Sequence, residues 1–159
     1  MGGLIIKKML THAQASSKDE DQEFAKNTKG VVFYSTPHRG SHVAKVSSTT
    51  KFFFFPTVEV QDLEWESAAL ADLQQSFKDM VQHSPDLEVI SFGEMLPTPY
   101  LGLDLTFVPE ESSNPQVGTH YQVPQNHMNI CKPKDRNSIL YRKLMKIVWE
   151  ALDDATPLA

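Results

Sequence analysis

Residues 30–35 constrain the fold most strongly, because they form a short apolar run, Gly-Val-Val-Phe-Tyr-Ser, that follows a polar stretch. An apolar run without alternation is typical of a strand that is buried on both faces, as in a parallel sheet covered by helices. Residues 87–92 and residues 103–108 are two further apolar segments of strand length. We therefore predict an α/β fold with these three strands in a largely parallel sheet.

Three segments carry apolar residues at helical spacing. The first helix is predicted over residues 2–14, with Lys7 on the face opposite the apolar residues. The second begins after Ser67, a good N-cap residue, and the third runs from about residue 138 to residue 152. The apolar positions of the three helices are Leu4, Ile5, Ile6, Met9, Leu10 and Ala13, then Leu70, Leu73, Phe77, Met80 and Val81, and finally Leu140, Leu144, Ile147, Val148 and Ala151.

Two stretches between these elements lack a clear period. The polar residues 16–27 lead from the first helix to the first strand. Residues 42–66 contain four consecutive phenylalanines and are predicted to form a cap or lid. The phenylalanines would then contact lipid or cover an acyl channel, although filling a core would use them equally well.

Composition excludes several classes of function. The net charge of −5, without a basic run beyond short pairs, argues against a nucleic-acid partner. The single cysteine, Cys131, forms no internal disulfide and provides no cysteine cluster for zinc, so we expect no metal and no cofactor. No apolar stretch approaches the ~20 residues that span a bilayer, and any targeting segment is expected upstream of Met1. The sequence gives no indication of the oligomeric state.

The first three residues, Met1-Gly2-Gly3, are typical of the second half of a nucleophile elbow, Gly-x-Ser-x-Gly. Small residues after the serine allow the following helix to start close to the sheet. The serine itself would lie directly before Met1, and the Met1 amide would take the place of an oxyanion donor. An initiator methionine followed by two small residues would give the same pattern, so other residues must decide.

His127 follows the last predicted strand and precedes the last predicted helix, where an α/β hydrolase carries its general base. The chain order in that fold is serine, acid, histidine. Glu94, after the strand at residues 87–92, is the first choice for the acid, because the acid usually follows the strand next after the post-elbow pair. Glu111 is the alternative, because some lipases carry the acid in a loop shortly before the histidine. Each of the three also fits an ordinary loop residue with local hydrogen bonds or solvent around it.

His38 and Arg39 follow the strand at residues 30–35. Loops at the carboxyl ends of strands in open α/β sheets build the ligand site, so these two residues are expected to face the same cleft as His127. Pro37 and Gly40 shape the same turn, and a purely structural role for it is an equally good interpretation.

Four segments, residues 1–8, 30–41, 108–112 and 126–133, occur in this order and carry a more specific resemblance. They include Thr-Pro-His-Arg-Gly-Ser and His-Met-Asn-Ile-Cys-Lys-Pro. Together they resemble the C-terminal part of the serine active site-containing protein 1 family of lipase-like α/β hydrolases. The resemblance implies an elbow of the form Gly-His-Ser-Met-Gly-Gly, with the serine directly before Met1, and it matches His127 to the family's candidate catalytic histidine.

The same resemblance implies that residues 1–159 are the C-terminal half of an α/β-hydrolase fold without its N-terminal strands. The family is associated with phosphatidylglycerol remodelling, cholesterol trafficking and the contacts between mitochondria and endoplasmic reticulum. It therefore implies a lipid or acyl-ester substrate, peripheral membrane association, and a chain that is inactive without its serine. The alternative is a non-enzymatic scaffold or interaction protein at a membrane contact.

Overall fold

The computed structural model describes residues 2–39, 68–100 and 102–155. Met1, Ser67, Gly40 and the predicted cap at residues 42–66 lie outside the described residues. In chain order the elements are α1 (Gly2–Ala15), α2 (Asp19–Asn27), β1 (Gly30–Tyr34), α3 (Ala68–Gln82), β2 (Glu88–Glu94), β3 (Thr98–Tyr100), β4 (Leu103–Leu105), α4 (Glu110–Ser113), β5 (Thr119–Val123) and α5 (Ile139–Ala155).

Within the described residues the main sheet has three strands in the order β1-β2-β5, and both pairings are parallel. Val32 pairs with Ile90, and Phe92 pairs with Tyr121. The prediction of an α/β fold with a largely parallel sheet is confirmed, and the first two strands are those predicted. Because the strands run in the same direction, their carboxyl ends meet at one edge of the sheet.

The prediction that residues 103–108 form the third strand of the main sheet was wrong. Residues 103–105 form β4, which pairs antiparallel with β3 in a separate two-stranded sheet, and Leu103 is exposed. The third strand of the main sheet is β5, Thr-His-Tyr-Gln-Val, in which only Val123 is buried. Its polar residues hide it from a search for apolar runs, because an edge strand does not need to be apolar on both faces.

Each face of the sheet packs against helices. On one face, β1 and β2 contact α1 and α3 through a buried cluster, and on the other they contact α5. The first cluster consists of Leu10, Val31, Phe33, Phe77, Met80, Leu87 and Val89. The second consists of Ile90, Phe92, Val123, Ile130, Leu140 and Ile147.

Some of the residues that the helices bury differ from those predicted. In α1 the buried residues are Leu4, Lys7, Leu10 and Ala13, so Lys7 faces the core although the sequence placed it on the polar face. Six of the ten residues 4–13 are apolar, too many to fix one face by period alone. The polar residues 19–27 form a helix, α2, which has no buried residue. In α5, Leu140 and Ile147 are buried as predicted, whereas Leu144 and Val148 are exposed.

Candidate functional site

Polar side chains follow the carboxyl ends of all three parallel strands. Ser35 comes directly after β1, Glu94 is the last residue of β2, and His127 lies in the turn that follows β5. The register sets Glu94 beside Val123 and sets Tyr34 beside Phe92. These strand ends are therefore neighbours, and the sheet brings together residues from distant parts of the chain.

Glu94 and His127 are in direct contact. The Nδ1 atom of His127 donates a hydrogen bond to Oε2 of Glu94, with 2.7 Å between the two atoms. The Glu94 side chain is buried, whereas that of His127 remains 34% exposed. A neutral imidazole with its proton on Nδ1 carries its lone pair on Nε2. This arrangement leaves Nε2 able to accept a proton from a substrate or nucleophile.

The Glu94 carboxylate accepts hydrogen bonds at both oxygens. The amides of Phe107 and Val108 donate to Oε1 over 2.7 and 3.1 Å. The hydroxyl of Ser35 donates to Oε2 over 2.7 Å. Burial alone raises the pKa of Glu94, but the hydrogen bonds from His127, Ser35 and Val108 outweigh it and hold the pKa below its ordinary value. Glu94 is therefore a carboxylate at neutral pH.

Two further contacts position His127 and its imidazole. The backbone amide of His127 donates to Oγ1 of Thr98 over 3.1 Å. The ring of Phe107 stacks on the imidazole with 4.9 Å between centroids and 21° between planes. Thr98 belongs to β3, and Phe107 follows β4. The small antiparallel sheet thus positions the histidine and, through the Phe107 amide, the carboxylate.

The alternative acid, Glu111, is exposed on the short helix α4. Of the two candidates, it is Glu94 whose carboxylate lies on Nδ1 of His127. The sequence-based preference for Glu94 thus agrees with the observed contact. Whether either residue acts in catalysis remains a prediction.

His38 is buried, which agrees with the structural interpretation of its turn, whereas the expectation that Arg39 faces the cleft stays a prediction. His38 is 1% exposed, contacts the ring of Phe33 edge-on, and lies on the α1 side of the sheet. Its two ring nitrogens have no hydrogen-bond partner in the part of the chain that the structure describes. Burial, followed by the charges of Lys7 and His120, lowers the pKa of His38 well below its ordinary value. The backbone amide of Arg39 donates to Oγ of Ser112.

The imidazole of His38 is thus an interior neutral group and not a cleft-lining one. The polar loop sequence around it gave no sign of this, because a Thr-Pro-His-Arg-Gly loop after a strand usually faces solvent. The proposed oxyanion residue, Met1, lies outside the described residues. Within those residues, no cluster of three or more histidine, cysteine, aspartate or glutamate side chains could hold a metal ion.

Ser35, Thr98 and Phe107 were not singled out from the sequence. Ser35 was assigned to the end of a strand, and a polar residue directly after a buried strand is the one signal that could have marked it. Thr98 and Phe107 could not have been found this way. Their contacts depend on the β3–β4 pairing, and no pattern in the sequence predicted that hairpin.

Fold and site together define an α/β protein with a buried carboxylate–histidine pair at the carboxyl ends of its strands. Over 154 residues the chain is 41% identical to human SERAC1, a match that covers 96% of this chain and 23% of that relative. It is 40% identical to bovine SERAC1 over 154 residues and 39% identical to SERAC1 of Danio rerio over 155 residues, with the same coverage. The chain therefore resembles one part of SERAC1.

The chain spans about a quarter of the length of the curated relatives it matches, 23% in each case. No family model matches the chain. No solved structure matches it either.

Proposed function

We propose that this chain carries the acid and the general base of a serine-dependent acyl hydrolase or transacylase. The observation that carries the proposal is the hydrogen bond from Nδ1 of His127 to the buried Glu94 carboxylate. A carboxylate in this position holds the imidazole in the tautomer whose Nε2 is basic, and it stabilises the imidazolium that forms when Nε2 takes a proton. The resemblance to SERAC1 and the parallel sheet support an α/β-hydrolase fold.

In the proposed reaction, Nε2 of His127 takes the hydroxyl proton of a serine as its oxygen attacks an ester carbonyl. The imidazolium then returns the proton to the leaving alkoxide, and the acyl group remains on the serine. A water or a second alcohol takes the acyl group in the same way. The serine is proposed to lie directly before Met1, whose amide would be an oxyanion donor.

The proposed substrate is an acyl ester of a glycerophospholipid, with phosphatidylglycerol as the first to test. The proposed location is the contact between mitochondria and endoplasmic reticulum, with peripheral association with a membrane. Both rest on the resemblance of residues 1–8, 30–41, 108–112 and 126–133. Among the described residues, no helix has the length and apolar character to cross a bilayer.

Labelling with a serine-directed fluorophosphonate tests the proposal. The chain is compared with a form extended by the coding sequence upstream of Met1, which is expected to encode Gly-His-Ser in frame. We expect labelling of the extended form, loss of labelling in its His127→Ala variant, and no labelling of this chain. Equal labelling of the extended form with and without His127 would overturn the proposal.

The second candidate is a non-enzymatic interaction protein at a membrane contact. It is favoured by apolar residues that α5 leaves exposed, Leu144, Val148 and Leu152. The same experiment separates the two candidates. An upstream coding sequence without a serine before Met1, together with an extended form that is not labelled, would support the interaction protein.

A further inference from the structure

Ser35 occupies an unusual place beside the carboxylate–histidine pair. It is 2% exposed, and its hydroxyl donates to Oε2 of Glu94 over 2.7 Å. That same oxygen receives the hydrogen bond from Nδ1 of His127. Ser35 thus contacts Glu94, on the Nδ1 side of the imidazole ring, and does not lie on the Nε2 side.

We propose that Ser35 is a positioning residue that fixes the Glu94 carboxylate so that Oε2 faces Nδ1 of His127. The inference rests on the proposed function, in which this pair is the acid and the general base. It also excludes Ser35 as the nucleophile, because its hydroxyl is bound to the acid on the Nδ1 side of the ring.

The Glu94 carboxylate can rotate about the last torsion of its side chain. The last torsion of a glutamate side chain is broad, so a single anchored oxygen leaves the second one free to turn. The amides of Phe107 and Val108 anchor Oε1 from one side. Ser35 anchors Oε2 from β1, a different part of the sheet. Donors at both oxygens fix the plane of the carboxylate and hence the direction of its contact with the imidazole.

The backbone of Ser35 supports the same inference. Its φ is 44°, in the left-handed region that L residues other than asparagine and aspartate rarely adopt. Glycine would adopt this conformation without strain, but it would have no hydroxyl for Glu94. The Ser35 amide donates to the carbonyl of Phe92 over 2.8 Å, which ties the residue to β2 two positions before Glu94. The strained backbone therefore points the hydroxyl at the carboxylate.

The consequence for the pair is electrostatic as well as geometric. The hydrogen bond from Ser35 is one of the contacts that lower the pKa of Glu94. Without the hydroxyl, Oε2 keeps only the imidazole, and the carboxylate is less stabilised as an anion. The carboxylate also loses one of the donors that fix its plane, so its contact with Nδ1 of His127 is less well directed.

Nuclear magnetic resonance on the whole chain tests this inference without any need for catalysis. Ser35→Gly removes the hydroxyl and relieves the strained φ, and Ser35→Ala removes the hydroxyl but keeps the β-carbon. Ser113→Ala is the matched control, because the Ser113 hydroxyl is also buried but donates to the Glu110 carbonyl and not to Glu94 or His127. The readouts are the pKa of Glu94, the Nδ1 proton signal of His127 and its exchange with water.

We expect both Ser35 variants to raise the pKa of Glu94 by about one unit, the size typical of one lost hydrogen bond to a charged group. The Nδ1 proton of His127 should change its chemical shift and exchange faster with water, because the plane of the carboxylate is less well fixed. Ser113→Ala should leave both unchanged. Ser35→Gly should keep or raise the melting temperature, which separates a change in the pair from a loss of the fold.

Two results would overturn the inference. One is a folded Ser35→Gly chain with an unchanged Glu94 pKa and an unchanged His127 proton signal. The other is loss of the folded state in both Ser35 variants, which would assign Ser35 a purely structural role.

In the extended form, Ser35→Gly should lower kcat about 10-fold with little change in KM. If that form is inactive with Ser35 present, the proposed function fails while the resonance result still decides the role of Ser35.

Discussion

Lys7 is a buried cation in an apolar and aromatic environment. Its side chain is fully buried, its Nζ atom lies 5.7 Å from the ring centroid of Phe33 and 5.0 Å from that of Phe77, and Gln74 accepts its hydrogen bond. Burial, with a smaller contribution from Lys78, lowers the pKa of Lys7 to about 7. Within the described residues Lys7 forms no ion pair with a carboxylate, and its burial there disfavours the protonated form.

We therefore expect Lys7→Met to stabilise the chain. The folded pKa of about 7 lies below the unfolded value of 10.5, so the unfolded chain binds the proton more tightly and stability rises as the pH increases from 7 to 10.5. Lys7→Met should raise the free energy of unfolding at pH 7 by more than about 1 kcal/mol and flatten its rise towards pH 9. Urea unfolding at the two pH values measures both effects. Lys8→Met, at an exposed neighbour, is the control and should change neither the free energy of unfolding at pH 7 nor its rise towards pH 9. A Lys7→Met chain that is less stable than the unmodified chain would contradict this expectation.

Glu94 allows a second prediction at the residue scale. In the extended form, Glu94→Gln should lower kcat by ~10³ or more with little change in KM, because the orienting carboxylate acts mainly on the transition state. Glu111→Gln is the matched control and should stay near full activity, since Glu111 is exposed on α4. Steady-state kinetics of the two variants decide between the carboxylates. If Glu111→Gln abolishes turnover and Glu94→Gln does not, the contact between Glu94 and His127 is not the catalytic one.

At the scale of elements, the sequence predicted those strands whose burial leaves a mark in composition. β1 and β2 are buried between helices and are therefore continuous apolar runs. β5 is polar along most of its length, and Val123 is its buried residue. Residues 103–108 looked like a strand, although only residues 103–105 form one, in another sheet. Apolar composition reports burial and does not report which strand pairs with which.

The site was predicted only as far as chain order could carry it. Glu94 follows from its position after a predicted parallel strand, because parallel strands bring their carboxyl ends together. His127 was expected after residues 103–108, but the parallel strand that precedes it is β5. The contact of Ser35 depends on the sheet register and on a positive φ, and those of Thr98 and Phe107 depend on a hairpin. Local composition predicts none of these features. His38 shows the opposite failure, since a polar residue in a loop is buried.

Helix α5 carries an exposed apolar stripe, of which the sequence assigned Leu144 and Val148 to the core. Leu144, Val148 and Leu152 lie four residues apart on one side of the helix and are 37%, 39% and 52% exposed. Contiguous exposed apolar residues promote association. We therefore expect the isolated chain to self-associate through this stripe.

Replacing two residues of the stripe tests this expectation. Leu144→Lys combined with Val148→Lys should shift the sedimentation of the chain towards the monomer and raise its solubility. Leu103→Lys on β4 is the control, because Leu103 is a more exposed leucine outside the stripe. Equal self-association of the double variant and the unmodified chain would show that another surface is responsible.

For the whole molecule, the described residues hold the proposed acid and the proposed base, and the proposed reaction also needs a nucleophile. Within the described residues the sheet has β1 at one edge and β5 at the other, and the pair lies where β2 and β5 end. Ser35, whose hydroxyl contacts this pair, is bound to Glu94. The proposed nucleophile lies directly before Met1, and a general base without a hydroxyl to deprotonate cannot start acyl transfer.

We therefore expect this chain alone to hydrolyse a short-chain nitrophenyl ester at the background rate. The His127→Ala variant should have the same rate within about 2-fold, because loss of the base changes nothing where no nucleophile is activated. The extended form should exceed both and should lose the excess with His127→Ala. The measurement compares the chain and the extended form at equal concentration and neutral pH, each with and without His127. Turnover by this chain that disappears with His127→Ala would mean that a nucleophile lies within residues 1–159, and the serine before Met1 would no longer be needed.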